Sequence, residues 1–361
     1  MSRIDDLAQA LRDNGLDAYF AQTAVSMGYL HGLFEDAHER FLTLAVNPSG
    51  ETVLIAPALT ETQARRSGVQ EIRTWKDGED PTLLFQQLAA EWDLRSGILA
   101  VDDEMPARML LEMQQSLPAA LFKAGGRVLA SLRKRKDNEE LALLKQAAKI
   151  ADDAFEAVLP RLKAGHTELQ IDQMLVDEMK ARGGEPYFCI VAAGPNAAEP
   201  HHLSDSTVVK QGEVLLLDFG CEVQRYKSDI TRTVAIGQPE PEAFRVYDLV
   251  YKAHMAGRRA ARLGATGQDV DRATRAQIEA GGYGDKFFHR TGHGLGMQGH
   301  EEPNMVEGNT EPLETGNVFS IEPGIYLAGR FGVRIENIVT VTEGGCESLN
   351  AEPGAELVVV G

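Results

Sequence analysis

Residues 215–233 read LLLDFGCEVQRYKSDITRT, and an aspartate lies within each of the two apolar halves of this stretch. The segments around Asp218 and Asp229 have the composition of buried strands, and CEVQRYK between them is predicted to turn as a hairpin loop. If the turn centres near Val223 and Gln224, the two aspartates face each other across paired strands. A buried lone charge costs several kcal/mol, so two opposed carboxylates must share either a proton or a cation.

Three further segments supply groups that would complete a metal site. Glu322 follows the apolar run NVFSI, Glu336 lies within GVRIENIVTV, and the loop FFHRTGHGLGMQGHEEP (287–303) contains three histidines. Four acids in apolar strands, without an equal number of buried bases, favour a shared cation over a shared proton. With one histidine they would largely neutralise two divalent ions. Oxygen-rich ligation favours Mn²⁺, with Co²⁺ or Zn²⁺ as alternatives.

Length and charge limit the class of protein. The chain has 361 residues, enough for two domains, and its net charge of −18 argues against nucleic acid or an anionic membrane as partner. Its three cysteines are odd in number and far apart, which argues against a disulfide framework. The charged N-terminus lacks the apolar core of a signal peptide, and no apolar run is long enough to span a membrane. These features predict a cytoplasmic protein.

The sequence divides into two predicted domains. In residues 1–130 the short strands DAYF, FLTLAV, TVLIAP, EIRTW and GILAVD alternate with helices, which is typical of a small α/β domain. A long amphipathic helix then opens a second domain, residues 131–361. In that domain GHTELQID (165–172) and GATGQDVD (264–271) share Gly, Thr and Asp. This faint repeat predicts two similar αβ halves with a site at their junction.

The motifs LLLDFG, SDITRT, HRTGHGLG, SIEPG and VRIEN occur in the order found in the pita-bread metallopeptidase family. From about residue 135 to its end the chain resembles that family, which includes methionine aminopeptidase, aminopeptidase P and prolidase. The preceding α/β domain is similar to that of the prolidase, aminopeptidase P and creatinase branch. The resemblance implies a creatinase-like α/β N-terminal domain followed by an α+β pita-bread catalytic domain with pseudo-twofold symmetry. It also implies that two metal ions are bound by Asp218, Asp229, His293, Glu322 and Glu336.

The resemblance further implies hydrolysis of peptides with proline in the second position, by a metal-bridging hydroxide. Glu322 is then the base or proton shuttle. His300, in GHEEP, and His201, in AEPHHLS, match family histidines that stabilise the oxyanion or bind substrate, and His201 is preferred over its neighbour His202.

Three other residues are predicted to support the ligands through hydrogen bonds. Thr231 lies two positions after Asp229 and is expected to orient it. Arg334 lies two positions before Glu336 and is expected to orient that carboxylate, because residues two apart share one face of a strand. His289 precedes the histidine loop and is expected to bond to groups behind the ligands.

The favoured substrates are Xaa-Pro dipeptides, because the short chain lacks a large extra domain; aminopeptidase P activity on longer peptides is the alternative. Some prolidases hold the dipeptide's carboxylate with an arginine directly after the HExP motif, but Asn304 occupies that position here. Either longer peptides are accepted or the carboxylate is held in another way. Arg40, in the loop HGLFEDAHERF (31–41), is expected to reach the site of the neighbouring subunit in a homodimer and to bind the substrate carboxylate there.

Two rival classes share this fold without peptidase chemistry. Creatinase works without metal ions, and a pseudo-peptidase would act only as a binding protein. Both would be expected to lack part of the ligand set, whereas all five ligand positions are filled here.

Overall fold

A computed structural model describes residues 2–36 and 38–361. The chain forms two compact units, Met1–Arg133 and Lys134–Gly361. The units divide three residues (133 − 130) beyond the boundary predicted from sequence, because helix Gly126–Arg133 packs within the first unit.

The first unit is built on one six-stranded sheet with the strand order β4-β3-β2-β1-β5-β6. The pairs β3–β4, β1–β5 and β5–β6 are parallel, and β1–β2 and β2–β3 are antiparallel. The strands are β1 (Ala18–Ala21), β2 (Thr43–Val46), β3 (Thr52–Pro57), β4 (Ile72–Trp75), β5 (Ile98–Val101) and β6 (Leu121–Ala124). The helices are α1 (Arg3–Asp13), α2 (Ala24–His31), α3 (Glu61–Arg66), α4 (Thr82–Glu91), α5 (Ala107–Ser116) and α6 (Gly126–Arg133). All five strands predicted for this part of the chain form.

The second unit contains two five-stranded sheets, with strand orders β18-β10-β8-β7 (β9 pairs with β8) and β12-β11-β13-β16-β17, and the separate hairpin β14-β15. Its strands are β7 (Glu185–Ala193), β8 (Glu213–Val223), β9 (Tyr226–Lys227), β10 (Ile230–Ile236), β11 (Gly292–Gly294), β12 (Glu301–Met305), β13 (Val318–Ile321), β14 (Gly324–Leu327), β15 (Phe331–Arg334), β16 (Asn337–Thr342), β17 (Gly345–Ser348) and β18 (Val358–Val360). Its helices are α7 (Asn138–Val158), α8 (Glu168–Ala181), α9 (Pro241–Ala260) and α10 (Gly267–Ala280). Buried apolar residues of α7 and α8 pack on the first sheet. Those of α9 pack on the β14–β15 hairpin and on Val214 and Ala235 of the first sheet, and Val270 of α10 packs on the second sheet.

The repeat seen in the sequence marks equivalent helix starts in the two halves. Thr167 caps α8 in a capping box with Gln170, and Thr266 caps α10 in a capping box with Asp269. Each half therefore has the same order of a long helix, a capped helix and a sheet.

The β8–β10 hairpin forms, but its register differs from the predicted one. The turn centres on Gln224 and Arg225, which both have positive φ, the conformation that a two-residue hairpin turn requires. Asp218 consequently pairs with Thr231 rather than with Asp229. Asp229 lies two residues before Thr231, hence on the same face and diagonal to Asp218.

The two sheets meet where an isolated antiparallel bridge joins Thr231 to Glu336, with Glu336 N donating to Thr231 O at 3.1 Å. This bridge brings the aspartate hairpin of one half against the glutamate segment of the other. No helix within the described ranges is both long and apolar enough to cross a membrane.

Candidate metal centre

The four acids and His293 line one cavity of about 1000 Å³. Asp218 lies in β8, Asp229 directly precedes β10, Glu322 directly follows β13, and Glu336 separates β15 from β16. The other residues of the wall are Tyr187, Phe188, Ile190, Ala198, Glu199, Pro200, His201, Phe288, His289, Arg290, Gly299, His300 and Arg334.

Four of the predicted ligands, Asp229, His293, Glu322 and Glu336, have ligand atoms close to one another. His293 Nε2 is 3.3 Å from Glu322 Oε1 and 4.0 Å from Asp229 Oδ2. One ligand atom from each of Asp229, His293 and Glu336 can be chosen so that all three lie within 4.8 Å. The structure thus brings all five residues to one cavity, from segments that span more than a hundred positions; their role as metal ligands stays a prediction.

Glycines beside His293 permit this convergence, as the sequence indicated. A Cβ at Gly292 would lie 1.9 Å from Ser320 O, and one at Gly294 would lie 2.2 Å from Glu302 O. No side chain fits at either position, so the histidine segment can pack tightly between β12 and β13.

The cluster has far more acid than base. Without a metal ion, burial raises the pKa of Glu322 to about 7. Burial first, and then repulsion from neighbouring carboxylates, raises the pKa values of Asp229 and Glu336 well above their usual range. Burial lowers the pKa of His293 to about 3, with a further contribution from His300, so its imidazole is neutral and free to act as a ligand.

Two carboxylate oxygens of the cluster are fully buried acceptors to which no described residue donates a hydrogen bond, Asp218 Oδ1 and Glu336 Oε1. An unsatisfied buried acceptor costs about 1–3 kcal/mol, more when it is charged. A divalent cation would satisfy both oxygens and neutralise the excess charge. The set of hard oxygen donors with one neutral imidazole thus fits a divalent metal.

Hydrogen bonds behind the ligands connect different partners from those predicted. Arg334 Nη2 donates to Asp218 Oδ2 at 2.6 Å, and its Nε donates to Thr231 Oγ1 at 3.0 Å. The Thr231 hydroxyl in turn donates to Glu336 Oε2 at 2.7 Å. Thr231 therefore orients Glu336, not Asp229, and Arg334 orients Asp218, not Glu336. Thr231 meets Glu336 because the two are bridged, and residues opposed across a strand pair lie closer than residues two apart along one strand.

His289 is hydrogen-bonded behind the ligands, through a tyrosine that sequence reasoning missed. Its Nδ1 is 2.7 Å from Arg290 O and its Nε2 is 2.9 Å from Tyr326 Oη. The carbonyl only accepts, so Nδ1 carries the proton, and burial lowers the His289 pKa to about 4, which leaves Nε2 to accept from the tyrosine. Tyr326 also accepts from Arg334 Nη1 at 2.9 Å. Tyr326 lies four positions after Glu322, and this spacing is the signal in the sequence that could have identified it.

Ser320 was also missed. It accepts from His293 N at 2.9 Å and donates to Glu322 Oε1 at 3.1 Å, which fixes the carboxylate relative to the histidine. It lies two positions before Glu322 in a strand-like run, the same spacing that drew attention to Thr231 and Arg334.

The two predicted substrate histidines both line the cavity. The ring centroids of His300 and His293 are 3.9 Å apart. His201 is in the cavity wall, whereas His202 Nε2 bonds to the buried Glu168 Oε2 at 2.7 Å. Of these two neighbours, His201 lines the cavity and His202 binds Glu168, which agrees with the preference for His201 drawn from the sequence.

A second group of possible ligands, Glu168, His202 and Asp205, has a different character. Both oxygens of Glu168 already accept hydrogen bonds, from Ala193 N and Asn196 Nδ2 on one side and from His202 and Asp205 N on the other. This hub fixes the loop that carries His201, and it occupies both oxygens of Glu168.

The other predicted substrate residue, Arg40, lies in the first unit, where it donates to the Asp77 carboxylate at 3.3 Å. Its role at a neighbouring subunit's site stays a prediction. Asn304, the position at which the chain departs from some prolidases, accepts from Arg290 Nη1 at 2.5 Å.

Comparison with known proteins gives one consistent family. A model described as metallopeptidase family M24 matches residues 142–343, and one described as the creatinase/prolidase N-terminal domain matches residues 3–135. A putative dipeptidase, YkvY of Bacillus subtilis, is 34% identical over 357 residues, or 98% of each chain.

Solved structures agree. Dipeptidase PepE from Mycobacterium ulcerans has a TM-score of 0.94 with 36% identity over 99% of this chain and 97% of its own. A prolidase from Thermococcus sibiricus has a TM-score of 0.93 with 32% identity over 99% of this chain and 98% of its own. The family and the fold class predicted from the motifs are both confirmed. The chain belongs to metallopeptidase family M24, with a creatinase/prolidase N-terminal domain ahead of a pita-bread catalytic domain.

Proposed function

We propose that the protein is a dinuclear-metal hydrolase of Xaa-Pro dipeptides, a prolidase. The observation that carries the proposal is the buried cluster of four carboxylates and His293, with two acceptors that no described residue satisfies. Similarity along the whole chain to proteins named dipeptidase and prolidase supports the choice of substrate class.

Five residues would hold two divalent ions: Asp218, Asp229, His293, Glu322 and Glu336. Mn²⁺ is the ion we favour, with Co²⁺ or Zn²⁺ as alternatives, because the donors are mainly hard oxygens. When bound, such ions supply Lewis-acid chemistry, lowering the pKa of water and polarising the scissile carbonyl.

The protein's own groups would handle the proton and the developing charge. Glu322 Oε1 is engaged by Ser320, which leaves Oε2 to take the proton of the attacking water and deliver it to the departing proline nitrogen. Ring N–H groups of His300 and His201 in the cavity wall would donate to the oxyanion or to the substrate. Homodimer assembly and a cytoplasmic location stay predictions.

Aminopeptidase P activity on longer Xaa-Pro peptides is the second candidate. It is favoured by Asn304, which stands where some prolidases have a carboxylate-binding arginine. A pseudo-peptidase that only binds peptides is the non-enzyme alternative, and the complete set of converging ligands argues against it.

The test removes metal from the protein with a chelator, adds Mn²⁺, Co²⁺ or Zn²⁺, and compares Ala-Pro, Ala-Pro-Ala and Ala-Ala as substrates. We expect turnover of Ala-Pro above both other peptides, and highest with Mn²⁺. Glu322→Gln should lower kcat at least about 100-fold because it removes the proton carrier. Glu347→Gln, at an exposed ion pair with Lys145, is the matched control and should keep wild-type activity. Preferred turnover of Ala-Pro-Ala would assign the aminopeptidase P activity instead, and no metal-dependent turnover of any peptide would refute the proposal.

A further inference from the structure

Two arginines line the cavity, and they differ in what they bind. Each of the three guanidinium nitrogens of Arg334 donates a hydrogen bond, to Asp218, Thr231 and Tyr326. Arg334 is also buried, and these bonds hold it to the groups behind the cavity.

Arg290 is in the opposite situation. Within the described part of the chain it has no ion pair, although the protein has 54 acidic residues against 36 Lys and Arg. Among the residues that the structure describes, its side chain makes one hydrogen bond, from Nη1 to Asn304 Oδ1. A guanidinium has five N–H donors, so most of those of Arg290 have no acceptor among the described residues. An arginine half-buried in a cavity wall with unused donors is suited to an anionic group that enters from solvent.

Asn304 fixes where that guanidinium lies. Its Nδ2 donates to Glu302 Oε1 at 3.0 Å, so the other end of the amide, Oδ1, must face Arg290. Asn304 is the residue directly after the HExP motif. The position that holds an arginine in some prolidases here holds the acceptor for an arginine supplied from another segment.

The position of Arg290 in the chain suits a dipeptide. It lies three residues before His293, in the segment that brings a predicted ligand to the cavity. In an Xaa-Pro dipeptide the terminal carboxylate is one residue, or about 3.5 Å, beyond the scissile bond. A group that binds this carboxylate must therefore lie close to the metal ligands, whereas each added residue moves the carboxylate about 3.5 Å further away.

We propose that Arg290, held by Asn304, binds the C-terminal carboxylate of the dipeptide substrate. This inference rests on the proposed dipeptidase function and extends it by assigning the group that selects a free carboxylate in the second position. It replaces the sequence-based expectation that Arg40 has that role.

The test compares Ala-Pro with Ala-Pro amide, which lacks the carboxylate charge, in wild type, Arg290→Met and Arg290→Lys. Loss of one charge-assisted hydrogen bond predicts that Arg290→Met raises KM for Ala-Pro about 10- to 100-fold. The amide should be affected at least about tenfold less. Arg290→Lys keeps the charge and should recover part of the affinity, and it replaces Arg290→Met in the comparison if that variant does not fold.

The matched control is Arg272→Met, which removes an exposed arginine paired with Glu307 on the same unit. It should leave KM for both substrates unchanged. Equal effects of Arg290→Met on Ala-Pro and its amide, or no effect on either, would overturn the assignment. So would a selective loss of Ala-Pro binding in Arg40→Met but not in Arg290→Met. If wild type with metal cleaves neither substrate, the proposed function fails and this inference fails with it.

Discussion

At the scale of single residues, the structure shows a chain of donors and acceptors behind the predicted ligands. Arg334 donates hydrogen bonds to Asp218 and to Thr231, and the Thr231 hydroxyl donates a hydrogen bond to Glu336. In each of these bonds an O–H or N–H group donates to an oxygen that can accept. Asp218 and Glu336 therefore each have one oxygen held by a hydrogen bond, and the other oxygen of each has no donor among the described residues.

Replacing Thr231 by Val removes the centre of this chain while keeping the side-chain shape. Glu336 then loses its hydrogen bond and Arg334 Nε loses its acceptor. We expect the affinity for Mn²⁺ to fall about 10- to 100-fold, the usual effect of losing an outer hydrogen bond at a metal site. Isothermal titration calorimetry of Mn²⁺ into the variant, after a chelator has removed its metal, measures this affinity.

Thr340→Val is the matched control for that substitution. Thr340 is equally buried in a strand, but no described residue bonds to its hydroxyl. Its removal should leave Mn²⁺ affinity unchanged and should not destabilise the protein. Equal metal affinity in Thr231→Val and wild type would show that the hydroxyl does not orient a ligand.

The sequence predicts the acids and the supporting residues Thr231 and Arg334, but not which donor bonds to which acid. An acid within an apolar strand is visible in the sequence, because burial of a lone charge needs a reason. Which donor meets it depends on how distant segments pair: Thr231 is bridged to Glu336, and Arg334 reaches Asp218. Arg290 lies within the motif HRTGHGLG, but nothing in the sequence indicates that Asn304 accepts a hydrogen bond from it.

At the scale of elements, a buried ion pair ties the start of α7 to the strand that follows His300. Lys136 Nζ lies 2.7 Å from Glu301 Oε1, and the two side chains are 1% and 7% exposed. Lys136 N also donates to Gly316 O, which fixes the segment before the helix. The pair therefore positions the β12 end of the histidine loop.

Lys136→Met should destabilise the protein by about 3–5 kcal/mol, because it leaves the Glu301 carboxylate buried without its cation. It should also lower kcat, since His300 is the next residue to Glu301. Urea unfolding and steady-state kinetics measure the two effects.

Lys145→Met is the control, because Lys145 pairs with Glu347 at the surface, where such a pair contributes about 0–1 kcal/mol. Lys136→Met/Glu301→Gln should regain part of the lost stability by removing the lone charge. A stability loss in Lys136→Met no larger than that of Lys145→Met would contradict this account of the loop.

Element-scale features were the most predictable from the sequence. The long helix α7, the capped starts of α8 and α10, and the strands that carry the acids all follow from local periodicity and capping chemistry. The helix α5 and the edge strand β6 of the first unit gave no comparable signal, since β6 is largely exposed and short.

At the scale of the whole molecule, each unit has its own sheets and core, and the proposed chemistry belongs to residues 134–361.

The protonation of the metal-free cluster makes its affinity for metal depend on pH. The folded Glu322 pKa of about 7 lies above its ordinary value of 4.5. The folded state thus keeps a proton that the unfolded state releases, and the resulting stability is present below about pH 4.5 and lost as the pH rises through about 7. A metal must displace that proton at pH 6 but not at pH 8, so Mn²⁺ should bind more weakly at pH 6.

The central claim is that Asp218, Asp229, His293, Glu322 and Glu336 together bind divalent metal. The most direct measurement is the number of Mn²⁺ ions bound per chain at pH 8, by equilibrium dialysis of the chelated protein followed by elemental analysis. We predict two ions per chain for wild type, as in other two-metal hydrolases, and fewer for Asp229→Asn and Glu336→Gln. Glu347→Gln, at an exposed acid, should bind as many ions as wild type. A wild-type protein that retains no more Mn²⁺ than Asp229→Asn and Glu336→Gln would contradict the account.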